Sequence, residues 1–188
     1  MIRGLYISAS GMTAQELNQN RVTNNLANAG TTGFKKDVHV FRTFQDVMLE
    51  RVNRLPSGTA ERRMIGTTNH GTMVDATRTD YSDGLLQETG RPLDVALLGR
   101  GMFTVETPQG LRFTRDGSFQ LDSEGYLVTA TGDYVLGYQG PINLADEVFQ
   151  ITPEGELVAE DGWVIDQLLI ADFEDWVRLT KAGDNYFV

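Results

Sequence analysis

The residues best equipped for chemistry in this 188-residue chain are three acids close in sequence, Asp116, Asp122 and Glu124. Paired carboxylates can share acid and nucleophile roles in glycoside hydrolysis, and clustered ones can hold calcium. Their spacing fits neither an EF-hand loop nor a hydrolase motif, and Asp is favoured in turns, where it bonds the nearby backbone. They read as solvated turn acids, with a carbohydrate- or peptidoglycan-modifying enzyme as the alternative. Gly99-Arg100-Gly101 follows an apolar run as a dinucleotide fingerprint does, but Thr104 stands at the third glycine position and strand-like Phe103 to Val105 follows. It reads as a tight turn. Cysteine is absent and the only histidines are His39 and His70, which excludes disulfides and thiolate or His-rich metal centres. No GxSxG elbow is present. No catalytic residue, cofactor site or metal site is assigned.

The element that opens the chain is more informative. Residues 3 to 27 hold no proline, and Leu5, Ala9, Met12, Glu16, Gln19, Thr23 and Leu26 recur at alternating spacings of four and three. That is the seam of a helix that packs on other helices, apolar at both ends and polar in the middle, where polar residues set register. Five asparagines lie between Asn18 and Asn28 and compete with the helical backbone for hydrogen bonds, so the helix needs outside support. An ordinary amphipathic surface helix is the plainer alternative. Gly30-Thr31-Thr32-Gly33 is expected to end it through a left-handed glycine cap. Leu5, Met12, Val22, Leu26 and Phe34 are the expected packing residues between subunits, with Asn24, Asn25 and Asn28 as polar register and Gly33 as the hinge.

Residues 37–83 read as an extended connector with little core of its own, in which Pro56-Ser57-Gly58 forms a turn. From Gly84 the texture changes to short apolar runs punctuated by glycine: Leu93–Leu98, Met102–Glu106, Leu111–Thr114, Tyr126–Ala130, Tyr134–Tyr138 and Gln167–Phe173. A spacing of roughly 8 to 12 residues suits antiparallel hairpins and leaves no room for crossover helices. LDSEGYLVTATGDYVLG from Leu121 also resembles ITPEGELVAEDGWVIDQ from Ile151, a hairpin unit used twice at an offset of thirty. The fold class is mainly β with an N-terminal α-helix, divided into 1–36 assembly helix and hinge, 37–83 connector and 84–188 antiparallel β-domain.

Charge is uneven: residues 1–63 carry nine Lys/Arg against five Asp/Glu, and residues 64–188 seven against twenty-one. The acidic part repels nucleic acid. The N-terminus lacks the apolar run of about 7 to 15 residues that a secretory signal needs, and no apolar stretch of about 18 residues suits membrane insertion. Export would use another route.

Three ordered motifs resemble the bacterial flagellar basal-body rod and hook protein family. The first is Ser10-Gly11-Met12-Thr13-Ala14-Gln15 with Asn24-Asn25-Leu26-Ala27-Asn28 and Thr32-Gly33-Phe34-Lys35. The second runs from Gly84 to Gly90, then Leu93-Asp94-Val95-Ala96 and Gly99-Arg100-Gly101-Met102-Phe103. The third is Phe113-Thr114-Arg115-Asp116-Gly117-Ser118-Phe119, continued by Gly183 to Phe187. Within the family the chain looks most like a distal rod protein, with proximal rod and hook proteins next.

The resemblance implies a structural subunit and not an enzyme. It implies a hollow helical drive shaft that transmits torque, located in the basal body outside the cytoplasm, whose subunits pass a type III export apparatus without a cleaved signal. The implied partners are further copies of the chain and neighbouring rod and hook subunits. A hook or hook-associated subunit, or an acidic surface-binding module, is the alternative. The family continues into a C-terminal helix that pairs with the N-terminal one, whereas this chain stops at Val188. A truncated sequence is the expected explanation, leaving the N-terminal helix without its partner.

Overall fold

A computed structural model describes residues 2–54, 60–144, 149–183 and 185–188, so the expected turn at Pro56-Ser57-Gly58 lies outside the described residues. The chain divides into two compact units, one of residues 1–28 and 36–80 and the other of residues 29–35 and 81–188.

The first unit opens with helix α1, Ile2–Ala27, the proline-free segment expected from the sequence. Its C-terminus is closed by Asn28, whose side-chain amide donates to the Asn24 carbonyl at 2.9 Å, meeting one of the carbonyls a helix end leaves open. Glycine does not supply the cap: Gly33 takes φ +66, but six residues beyond the helix. Strands β1 (Asp37–Thr43), β2 (Val47–Arg54), β3 (Ala60–Thr68) and β4 (Thr72–Thr79) follow. The stretch read as a connector thus carries two antiparallel pairs, β1 with β4 and β2 with β3. The signal was present in the alternating Val38, His39, Val40 and Phe41, the β-branched and aromatic pattern that suits a pleated surface.

This unit has little apolar core. Among the described residues Ala14 is its one buried apolar side chain, and α1 packs on β1 and β4. The contact is largely polar: Asn25 donates to the Asp37 carbonyl at 3.0 Å and accepts the Asp37 amide at 3.1 Å, and Arg21 donates to the same carbonyl at 3.3 Å.

The second unit is a meander of short strands: β5 (Met102–Thr107), β6 (Gly110–Thr114), β7 (Gln120–Leu121), β8 (Leu127–Val128) and β9 (Tyr134–Val135). Then come β10 (Phe149–Ile151), β11 (Glu156–Ala159), β12 (Val164–Gln167), β13 (Ile170–Ala171) and β14 (Tyr186–Phe187). One sheet has the order β14-β6-β5-β9-β8-β7 with β13 also on β5, and β10-β11-β12 forms a second. All of these pairings are antiparallel. The core between them includes Phe103, Phe119, Leu127, Val135, Leu144 and Leu157.

Two expected strands change form. Leu93–Leu98 carries only a single bridge, Asp94 to Ser118, although Leu93, Val95 and Leu97 do pack on the core. Alternation there encodes burial, but the segment follows Pro92 and pairs with a loop through Val95 N–H to the Gly117 carbonyl at 2.9 Å. Gln167–Phe173 divides between the end of β12 and β13.

The internal repeat is a structural one. Gly125 and Gly155 take φ of +82 and +81, Gly132 and Gly162 φ of +88 and +81. Each first glycine accepts a partner amide, Leu144 on Gly125 at 2.8 Å and Leu168 on Gly155 at 2.9 Å. Leu127 and Leu157 sit at matched positions, both almost fully buried. Leu157→Ala is therefore expected to cost about 2–5 kcal/mol in urea unfolding, whereas Leu111→Ala, at an exposed site, should stay within about 0.5 kcal/mol.

Candidate functional site

The first motif does not end with the helix. Residues 29–35 belong to the β-domain, and the structure docks them there through contacts that draw on the third motif and on the residues just before the second. Thr32 donates from Oγ1 to the Asp116 carboxylate at 2.6 Å, and its carbonyl accepts the Asn185 amide at 2.8 Å. Asp116 also accepts the Ser118 amide and hydroxyl, at 3.0 and 2.6 Å, so this candidate catalytic acid is committed to a loop. Asp122 likewise closes its own turn, accepting the Glu124 and Tyr126 amides at 2.9 and 2.8 Å. Glu124 is an exposed residue of that turn. Among the described residues no three His, Asp or Glu side chains are grouped to hold a metal.

Gly33 lies directly against the Arg115 and Asp116 backbone, where any Cβ would overlap the Arg115 carbonyl, and its φ of +66 is itself unfavourable for other residues. Phe34 faces the Lys181 ammonium, 4.7 Å from the ring centroid. Lys181 also donates to the Lys35 carbonyl at 2.6 Å.

Lys35 is buried, unusual for lysine. Its ammonium donates to the carbonyls of Ser82 at 2.9 Å and Tyr81 at 3.2 Å and lies 3.7 Å from Asp83. The same Asp83 oxygen is 3.8 Å from the Arg115 guanidinium, and the other accepts the Gly99 amide at 3.2 Å. Arg115 in turn donates to the carbonyls of Leu97 at 3.0 Å and Gly99 and stands over the Trp176 ring. Burial pulls the Arg115 guanidinium below its ordinary pKa, while Asp83 and Asp172 oppose that shift. Gly99-Arg100-Gly101 is a turn in this setting, with φ of +81 at Gly99 and +125 at Gly101.

In the first unit, the helix seam read from the sequence faces solvent along its whole length. Leu5, Met12 and Leu26 are each more than 70% exposed and Val22 is exposed too. The opposite face, Ala14, Asn18, Arg21 and Asn25, turns toward the chain's own strands. Beside the helix start an open groove of about 490 Å³ is lined by Arg3, Tyr6, Ser10, Phe44 and His70. The expected packing residues therefore divide. Leu5, Met12, Val22, Asn24 and Leu26 are exposed on α1, Asn25 and Asn28 make contacts inside the first unit, and Gly33 and Phe34 make theirs inside the second.

Sequence reasoning did not single out Lys35, Asp83, Arg115, Lys181 or Asn185 as a site. Four of them lie outside the hinge in sequence, and no spacing rule brings them to it. Gly33→Val is expected to release residues 29–35, seen as faster amide exchange there while the core meander stays protected. Lys35→Met removes the ammonium that donates to the Tyr81 and Ser82 carbonyls and faces Asp83, and should lower β-domain stability by about 1–3 kcal/mol in urea.

A family model described as flagella basal body rod protein matches residues 5–35, ending on the docked Lys35. A second, described as flagellar hook protein FlgE/F/G D1 domain, matches residues 96–159. The flagellar basal-body rod protein FlgG of Borreliella burgdorferi is 41% identical over 197 residues, spanning 100% of this chain and 73% of that protein. FlgG of Bacillus subtilis is 34% identical over 199 residues, again covering 100% of this chain and 73% of the relative. The hook protein FlgE of Helicobacter pylori is 35% identical over 144 residues, 73% of this chain but 20% of its own length. The chain belongs to the flagellar basal-body rod and hook protein family, in its distal-rod group.

Proposed function

We propose that the chain is a structural subunit of the flagellar rod, assembling with copies of itself and with adjoining rod and hook subunits into a torque-transmitting shaft. The observation that carries this reading is the two-faced helix α1. Its polar face is used within the chain, and its apolar-ended seam of Leu5, Met12 and Leu26 is left open. A helix rich in asparagine that buries so little surface draws much of its stability from packing on neighbours. Repeated heterologous contacts of one kind build an open filament when the rotation between copies does not close.

A hook role is favoured less, because the rod relatives are matched along the whole chain and the hook protein through a shared portion. Passage through the type III export apparatus without a cleaved signal, and residence outside the cytoplasm, are parts of the same proposal. In the native gene, Leu5→Asp with Met12→Asp is expected to abolish swimming in soft agar, with the subunit still synthesised but missing from purified basal bodies. Normal incorporation of that variant would count against the seam. Recovery of the wild-type chain only from the hook fraction would count against the rod.

A further inference from the structure

The β2–β3 hairpin is mostly exposed, with no buried residue from Val47 to Thr68 among those described. A two-stranded ribbon of this kind is at best marginally stable alone. Its two faces arrange their charges differently, the second carrying Arg51, Arg63 and Glu61. On one face Glu50 and Met64 are cross-strand partners, as are Val52 and Arg62, and the Arg62 guanidinium lies 3.8 Å from Glu50. On the other, Arg51 and Arg63 stand directly opposite each other, an arrangement of like charges that weakens a sheet. Arg51 bonds to Asn53 at 3.1 Å, and among the described residues no ion pair engages either arginine.

The internal repeat supplies a complementary surface. In the first copy the turn Ala130-Thr131-Gly132-Asp133 is used internally, Asp133 accepting the Tyr186 hydroxyl at 2.7 Å and the Thr131 hydroxyl at 2.8 Å. The second copy keeps the backbone: Gly162 N–H donates to the Ala159 carbonyl at 2.9 Å, as Gly132 N–H does to that of Thr129. Its side chains are Glu160, Asp161 and Trp163, all exposed, Trp163 at 74%. Two carboxylates beside an open indole suit guanidinium groups, which pair with carboxylates and stack on aromatic faces.

We infer that the Arg51/Arg63 face of the β2–β3 hairpin docks on the Glu160–Trp163 turn of a second copy of this chain. The inference rests on the self-assembling reading above and names one of its contacts. Charge complementarity within one sequence favours that occupant: the hairpin face sets two arginines against the single Glu61, and the β-domain that carries the turn is strongly acidic.

The test uses the full 188-residue chain in sedimentation velocity across a range of ionic strength. Wild-type chain is expected to associate at low salt and to weaken as salt rises. Arg51→Glu/Arg63→Glu and Glu160→Lys/Asp161→Lys should each weaken association by about tenfold or more, as should Trp163→Ala. An equimolar mixture of the two charge-reversed variants should regain it, since each then meets an opposite charge on the other. All these side chains are exposed, and unchanged thermal melts will confirm folding. The docking fails if wild-type chain stays monomeric, if the reversed variants associate as well as wild type, or if their mixture does not recover. Normal basal-body incorporation of the wild-type gene, alongside such a result, would leave the rod reading standing and remove only this contact.

Discussion

The contacts around the hinge depend on how one buried ammonium is satisfied. Lys35 reaches the β-domain interior, where an unpaired charge would be costly, and two carbonyls and the Asp83 carboxylate compensate it. Asp83 is shared with Arg115, and Arg115 holds the loops at Leu97 and Gly99, so the hinge and the turn before β5 are tied to one carboxylate. Gly33 adds a steric condition, since only a residue without Cβ lets the hinge backbone lie against Arg115. Residues 29–35 are thus part of the β-domain, and the chain passes from one unit to the other after Asn28, after Lys35 and after Asp80.

The two units are stabilised by different physics. The β-domain buries aromatic and aliphatic side chains between short strands and closes its turns with glycine and carboxylate caps, enough to form a core of its own. The first unit buries almost nothing apolar and relies on backbone ladders and amide contacts such as Asn25 with Asp37. Hydrogen bonds give modest net stability compared with apolar burial, so this is the part that gains most from neighbours. That asymmetry suits the assembling role proposed for the chain, since elements that engage partners are drawn from the low-stability end of a structure.

The repeat shows how one backbone serves two purposes. Both turns keep the glycine conformations and the strand-closing bonds, because the fold of the meander needs them. Where the side chains differ, one turn ties itself to Tyr186 and the other presents charge and an indole to solvent. Backbone constraint and surface chemistry are separable at such a turn, since its backbone bonds do not involve the outward side chains.

The sequence alone determined helix α1, the spacing of its seam, the antiparallel character of the β-domain and the paired turns at Gly125 and Gly155. Each of these follows from local periodicity or from glycine's access to positive φ, and both are written in neighbouring residues. Strand identity at 37–79 was legible in Val38 and Val40 but masked by the charges around them, and Leu93–Leu98 carried a burial pattern without a ladder. Tertiary structure alone decided that Thr32, Lys35, Asp83, Arg115, Lys181 and Asn185 meet in one place. Their separations in the chain reach 153 residues, from Thr32 to Asn185, and only the closing of the meander sets which loops become neighbours. It also decided which asparagines of the amide-rich helix end serve the chain itself. That depends on where β1 runs, and no spacing within the helix specifies its path.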